Sequence, residues 1–174
     1  MSLSTKGRHS EVKVIGIDLS GPANHKDTAL IVFNRTDDGR LELEELVVNA
    51  NDEKLLTTIL TATLHDDDVV VGIDAPLSFQ DGGGDRPQDK SLRQFMKECG
   101  LSGSSVMPPT LTRMVYLTLR GISLTRTITN MKMSDKVRIV EVHPGAAIGS
   151  RIGSEKLHHA LRCICQLKSG PRIS

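Results

Sequence analysis

The chain is nearly without aromatic side chains. Trp is absent, Tyr116 is the single tyrosine, and aromatics make up 2% of the 174 residues. A surface that stacks successive bases of a single strand needs several such rings, so binding of that kind is not expected. Cysteine is also scarce. Cys99, Cys163 and Cys165 are odd in number and lack the C-x-x-C spacing of a zinc or redox motif. Free thiols in a reducing compartment are expected instead. Neither sign of charge prevails: the net charge is +1 with 25% charged residues, which gives no basic nucleic-acid arm and no acidic tail. No apolar run is long enough to span a bilayer, and the first residues lack the apolar stretch of a secretory signal. A cytoplasmic location without membrane association is therefore the expectation. The length favours one domain with one core. Residues 1–11 are expected to be disordered or an expression remnant, leaving a single domain over 12–174.

What the chain has is a repeated strand ending. Val12 to Pro22 reads Val-Lys-Val-Ile-Gly-Ile-Asp-Leu-Ser-Gly-Pro, and Val69 to Pro76 reads Val-Val-Val-Gly-Ile-Asp-Ala-Pro. β-Branched residues dominate both, and Pro or Gly stops them. Gly16-Ile17-Asp18 and Gly72-Ile73-Asp74 match residue for residue. A third run, Val137 to Pro144, reads Val-Arg-Ile-Val-Glu-Val-His-Pro and carries Glu141 near its end. An aspartate has little reason to end so apolar a strand unless it is exposed or has partners.

The elements around these runs read in order. Val12–Leu19 is a strand and Ser20–Asp27 a polar turn. Thr28–Arg35 and Leu41–Val48 are strands joined by Thr36-Asp37-Asp38-Gly39, a hairpin signal. In Leu41–Val48 the alternation of Leu and Glu predicts one wet face. Asn51 caps a helix with acids in its first turn and Leu55, Leu56, Ile59, Leu60 and Leu64 at helical spacing. The strand Val69–Ala75 then follows, so strand, helix and strand form a crossover onto a parallel neighbour. Gln88–Cys99 is expected to be a helix. So is Leu111–Asn130, with Leu111, Val115, Leu119 and Ile122 on one side. Val137–Val142 is the last strand, and Ser154–Lys168 a closing helix with Leu157, Leu161, Ile164 and Leu167 inward. The order is β-β-β-α-β-α-α-β-α, an α/β fold.

Alternation along a strand puts Val12, Val14, Gly16 and Asp18 on one face, and Val70, Gly72 and Asp74 likewise. Glu141 and His143 share a face of the third strand. If the first and fourth strands pair in parallel, Asp18 and Asp74 stand side by side at the C-terminal edge, where open α/β sheets place ligands. Carboxylates this close repel each other, and a hard divalent cation such as Mg²⁺ or Mn²⁺ offsets the repulsion with oxygen ligands. Metal pairs in nucleases typically sit about 3.5–4 Å apart, a spacing that acids on neighbouring strands suit. A lone aspartate of this kind is more often a strand-end cap. Glu141 is equally readable as a surface partner of Arg138. His143 is a candidate ligand or proton carrier, or a hydrogen-bonded structural residue before its proline.

These segments, together with Lys26-Asp27-Thr28-Ala29-Leu30, Arg86-x-x-Asp89-x-x-Leu92-Arg93 and Glu141-Val142-His143-Pro144-Gly145-Ala146-Ala147, carry a resemblance. The chain resembles the domain of unknown function 429 family over about Val12 to Ala147. The resemblance implies a ribonuclease-H-like mixed five-stranded sheet, with three antiparallel strands then two parallel ones, flanked by helices. It also implies a nuclease whose acidic site is Asp18, Asp74 and Glu141. The wider ribonuclease H pattern has a further acid on the first helix, where this chain offers only Glu53 at the start.

Arg86, Asp89 and Arg93 fall on one side of a helix that starts near Pro87, and the arginines suit phosphate oxygens. Equally, Asp89 and Arg93 fit a helix-surface ion pair. Lys26 is a further substrate-binding candidate. Gly82-Gly83-Gly84 lacks the Lys-Ser/Thr ending of a P-loop and reads as a mobile lid. The expected activity is hydrolysis of a phosphodiester with Mg²⁺ or Mn²⁺ on Asp18, Asp74 and Glu141 and with His143 assisting. The near-neutral charge favours short or nucleotide-sized substrates over long nucleic acid. The alternatives left open are an ATP-binding phosphotransferase-like protein, a non-catalytic binding module of the same fold, and a homodimer.

Overall fold

A computed structural model describes residues 12–64, 68–131 and 134–152. The expected closing helix Ser154–Lys168 lies outside the described residues. The chain divides into two compact units. Of the described residues, the first holds those up to Ser78 together with those of Val115–Val142, and the second holds Phe79–Met114 and those from His143 on.

The first unit is built on a five-stranded mixed sheet in the order β3-β2-β1-β4-β5. Its strands are β1 (Val12–Asp18), β2 (Ala29–Arg35), β3 (Leu41–Val48), β4 (Asp68–Asp74) and β5 (Val137–Glu141). β1 pairs antiparallel with β2, and β2 with β3. β4 pairs parallel with β1 and with β5. Two helices serve this sheet: α1 (Asp52–Thr63) and α3 (Thr112–Thr129). The mixed sheet flanked by helices is the architecture expected.

Alternation decides which face is the core. Ile15, Ile17, Leu30, Val32, Val69, Val71 and Ile73 point to one side and form a single buried cluster with Leu55 and Ile59 of α1 and Leu124 and Ile128 of α3. Each such side chain, fully buried, contributes about 1.5–3 kcal/mol. α1 starts where its cap directs, with Asn51 Oδ1 accepting the Lys54 N–H at 2.9 Å.

Three expectations meet a different outcome. The buried stripe of α1 is Leu55, Thr58, Ile59, Ala62 and Thr63, while Leu60 and Leu64 are exposed. In α3 the buried residues are Thr118, Arg120, Gly121, Leu124 and Ile128, while Leu119 and, just before the helix, Leu111 are exposed. Small and polar residues win there because the helix lies close over its neighbours. β3 is exposed along both faces apart from Val47, because it is the edge strand and the helical core reaches no further. Its ladder to β2 shifts register between Val32 and Phe33, leaving Glu44 as an extra residue. That bulge keeps Leu41, Leu43, Leu46 and Val48 on one side.

The second unit contains α2 (Pro87–Glu98) and α4 (Pro144–Ile152). Met96, Leu101, Val106 and Ala146 form its small core, with Leu92 and Cys99 against it. α2 is closed off by Gly100, two residues past its last turn, whose φ of 73° suits glycine. There the Leu101 N–H bonds back to Met96 O at 2.8 Å and the Gly100 N–H to Lys97 O at 2.9 Å. Sequence periodicity does not mark α4, because Pro-Gly-Ala-Ala-Ile-Gly-Ser offers no apolar stripe.

Candidate functional site

The Gly-Ile-Asp echo is an alignment in space. β1 and β4 run parallel with Gly16 opposite Gly72, Ile17 opposite Ile73, and Asp18 opposite Asp74. Ile17 and Ile73 are drawn into the core, so alternation sends both aspartates to the opposite face at the C-terminal edge. Neighbouring strands lie about 4.8 Å apart. Asp18 is exposed and Asp74 half-buried. Beneath the acids the sheet is apolar. A Cβ added at Gly16 would lie 3.2 Å from Ile31 Cγ2, and one at Gly72 would lie 3.2 Å from Val142 Cγ1. Neighbouring side chains thus lean over both glycines.

Glu141 does not join the pair on its face. It is the register partner of Ile73, so its side chain leaves the side of the sheet opposite to Asp18 and Asp74. Its Oε2 accepts the Leu77 N–H at 2.9 Å, which ties the end of β5 to the turn that follows Asp74. Among the described residues no group of three or more His, Cys, Asp or Glu side chains is placed to hold a metal ion.

The turn leaving Asp18 is tightly held. It contains a short 3₁₀ helix, Pro22–Asp27, on which Lys26 is exposed. Arg120 of α3 reaches it. This arginine is buried at 5% exposure. Its Nε donates to Asp52 Oδ1 at 2.8 Å, and its Nη1 donates to Ser20 O and Thr28 Oγ1, each at 2.8 Å. Its Nη2 lies 2.8 Å from Asp52 Oδ1 and donates to Ala50 O at 3.4 Å. Neither charge nor apolar periodicity marks Arg120 in the sequence. The available signal was a guanidinium beside Gly121 and between Thr118 and Leu124, at the spacing of a buried stripe.

In the second unit, Arg86 and Asp89 are both buried and build the start of α2. Asp89 Oδ2 accepts from Arg86 N at 2.9 Å and from Arg86 Nε at 3.0 Å, and Oδ1 accepts from Nη2 at 2.6 Å. Arg93 pairs with Asp85, not Asp89. Its Nη1 and Nη2 meet the Asp85 carboxylate at 2.9 and 2.7 Å, and Nη2 also donates to Val106 O at 3.0 Å. The Arg93 hydrogen bonds and charge hold the Asp85 carboxyl below its usual range, and Asp85 in turn raises Arg93 above the ordinary arginine value. His143 caps α4: its Nδ1 accepts the Ala146 N–H at 3.1 Å. That bond fixes the ring and, in the neutral form, puts the proton on Nε2.

The donor set at Asp18 and Asp74 suits one hard cation that keeps much of its water. Mg²⁺ is often held by one or two carboxylates with waters and substrate phosphates completing the shell. It does not by itself suit a pair of ions, which needs further donors.

A parallel strand pair that presents two carboxylates at its C-terminal edge, within a mixed sheet, defines an α/β protein with an acidic edge site. The chain belongs to the family described as protein of unknown function (DUF429), whose sequence profile matches residues 16–160. No curated protein matches the chain. No helix among the described residues is long and apolar enough to cross a membrane.

Proposed function

We propose that the chain is a phosphodiesterase of the nuclease type, dependent on one Mg²⁺ or Mn²⁺ ion held by Asp18 and Asp74. One observation carries the reading: the two aspartates are register partners at the same strand edge. A bound ion of this class activates water and stabilises charge on phosphoryl oxygens. The chain's own residues do the rest. Ile17 and Ile73, fixed in the core, set the direction of both carboxylates, and the apolar layer over Gly16 and Gly72 gives them a firm floor. Glu141, through the Leu77 amide, fixes the turn that follows Asp74. Lys26 offers a cation for a phosphate oxygen from the turn that follows Asp18. With two carboxylates and a near-neutral chain, short diesters are favoured over long nucleic acid.

The test is thermal unfolding with and without Mn²⁺, followed by hydrolysis of a chromogenic diester and of short RNA and DNA. At an ion concentration about 100 times Kd, linkage stabilises by about 2.7 kcal/mol, a rise of roughly 5–10 °C for a chain of this size. Asp18→Asn and Asp74→Asn should each remove most of that rise and most of the hydrolysis. A Mn²⁺ response that survives both substitutions would place the ion elsewhere and end this reading.

A further inference from the structure

We infer that Arg120 is a positioning residue for the Asp18–Asp74 pair, acting through the turn that leaves β1; the inference rests on the cation-site reading above. The guanidinium has five N–H groups, and its three nitrogens all find partners. Nε donates to Asp52 Oδ1, which Nη2 approaches as an ion pair at 2.8 Å; Nη2 donates to Ala50 O; and Nη1 donates to Ser20 O and Thr28 Oγ1 and lies 3.5 Å from Ser20 Oγ. One side chain therefore joins the turn after β1, the start of β2 and the connection from β3 to α1. An arginine that only balanced the Asp52 charge would not need the other three. Asp52 is 56% exposed, where water serves it as well.

The hydroxyls extend the hold in one direction. Thr28 Oγ1 accepts from Arg120 Nη1 at 2.8 Å and from the Ser20 N–H at 3.2 Å. Its two acceptor sites are then filled, so its proton goes to Ser20 Oγ at 2.7 Å. The Ser20 hydroxyl proton goes to Asn24 O, also at 2.7 Å. Ser20 is thus fixed at its amide, carbonyl and hydroxyl, two residues after Asp18. Leu19 between them is buried. The carboxylate of Asp18 is exposed, and the hold on Leu19 and Ser20 restrains its backbone. Groups hydrogen-bonded to a metal ligand itself are typically worth about 10–100-fold in metal affinity; a hold that acts through the backbone belongs at the lower end of that range.

The experiment uses the full chain as wild type, Arg120→Gln, Arg120→Lys and Asp52→Asn. Two quantities are read: Mn²⁺ affinity by electron paramagnetic resonance titration, and amide hydrogen exchange over 20–28 compared with β4. Arg120→Gln should weaken Mn²⁺ by about 10-fold and speed exchange in the turn while β4 stays protected. Arg120→Lys should recover part of the affinity. Asp52→Asn, at an exposed carboxylate, should move both readouts the same way by less, and it keeps the test open if Arg120→Gln does not fold. A loosened turn with unchanged Mn²⁺ affinity would leave Arg120 a purely structural residue and overturn the inference. Unchanged exchange would overturn it as well. Wild-type protein that binds no Mn²⁺ would instead overturn the cation-site reading, and the inference with it.

Discussion

Gly121→Ala should destabilise the protein even though helix propensity argues the other way. Gly121 sits inside α3, where replacing glycine by alanine ordinarily gains about 1 kcal/mol. Here a Cβ would lie 2.9 Å from Pro76 O, 3.2 Å from Ala75 Cβ and 3.2 Å from Leu77 Cδ2. The nearest atom is a backbone carbonyl in the turn that follows Asp74, and it cannot rotate away. Forcing extra volume into a packed site costs about 1–3 kcal/mol. The rigid neighbour puts the cost at the upper end, so the net loss is about 1–2 kcal/mol, or roughly 2–8 °C in Tm for this chain length. Gly21→Ala is the control. Gly21 has an ordinary extended backbone, φ −63° and ψ 157°, and an added Cβ there meets nothing within 4 Å. That substitution should be neutral or stabilise by about 0.4–1 kcal/mol through the unfolded chain. Paired thermal and urea unfolding curves read both. Gly121→Ala as stable as wild type would refute the claim that α3 presses on the Ala75–Leu77 turn.

Two further outcomes are expected. Asp85→Asn should lower stability at neutral pH and lose its effect in acid. The folded-state pKa of Asp85 is depressed, so its contribution is present above the ordinary carboxylate value and is lost as pH falls through the lower folded value. Urea midpoints compared from pH 6 down to about pH 2.5 should converge only below about pH 4, and a gap that closes nearer neutrality would contradict the Arg93 pairing. Glu141→Gln should keep Mn²⁺ affinity within about threefold, because an amide oxygen still accepts the Leu77 N–H, whereas Glu141→Ala should weaken it toward the 10–100-fold range of an orienting group. Equal losses in the two variants would make Glu141 a ligand.

The fold was legible where side-chain pattern and local chemistry agreed. The hairpin at Thr36–Gly39 and the Asn51 cap each rest on a few adjacent residues, and β3 begins and ends at Leu41 and Val48 as expected. Helix faces were less legible. In α3 the larger Leu119 points to water, as does Leu111 just before the helix, while Gly121 and Arg120 lie inside. A close approach favours the smallest residue, and the polar ends of three connections need a buried donor. A scale that ranks positions by hydrophobicity inverts both. The roles of Arg86 and Asp89 were hidden for a related reason: a spacing of three on a helix start describes a capping box as well as a pair of groups aimed at a ligand.

The acidic site shows the same limit between strands. Alternation tells which residues of one strand share a face, but not which face of the next strand they join. That parity is set by register, and a shift of one residue reverses it. For β1 and β4 the repeated Gly-Ile-Asp supplied the register, since identical small and large residues pack in identical layers, and Asp18 meets Asp74 as the echo implies. Nothing comparable relates β5 to β4. Glu141 falls opposite Ile73, so strands that all end in acids deliver two carboxylates to one face and a third to the other. The third then finds a backbone amide to accept from. An edge with two carboxylates asks a cation to bring most of its own shell. Measured Mn²⁺ affinity, more than the count of acids, is therefore the test of the proposed function.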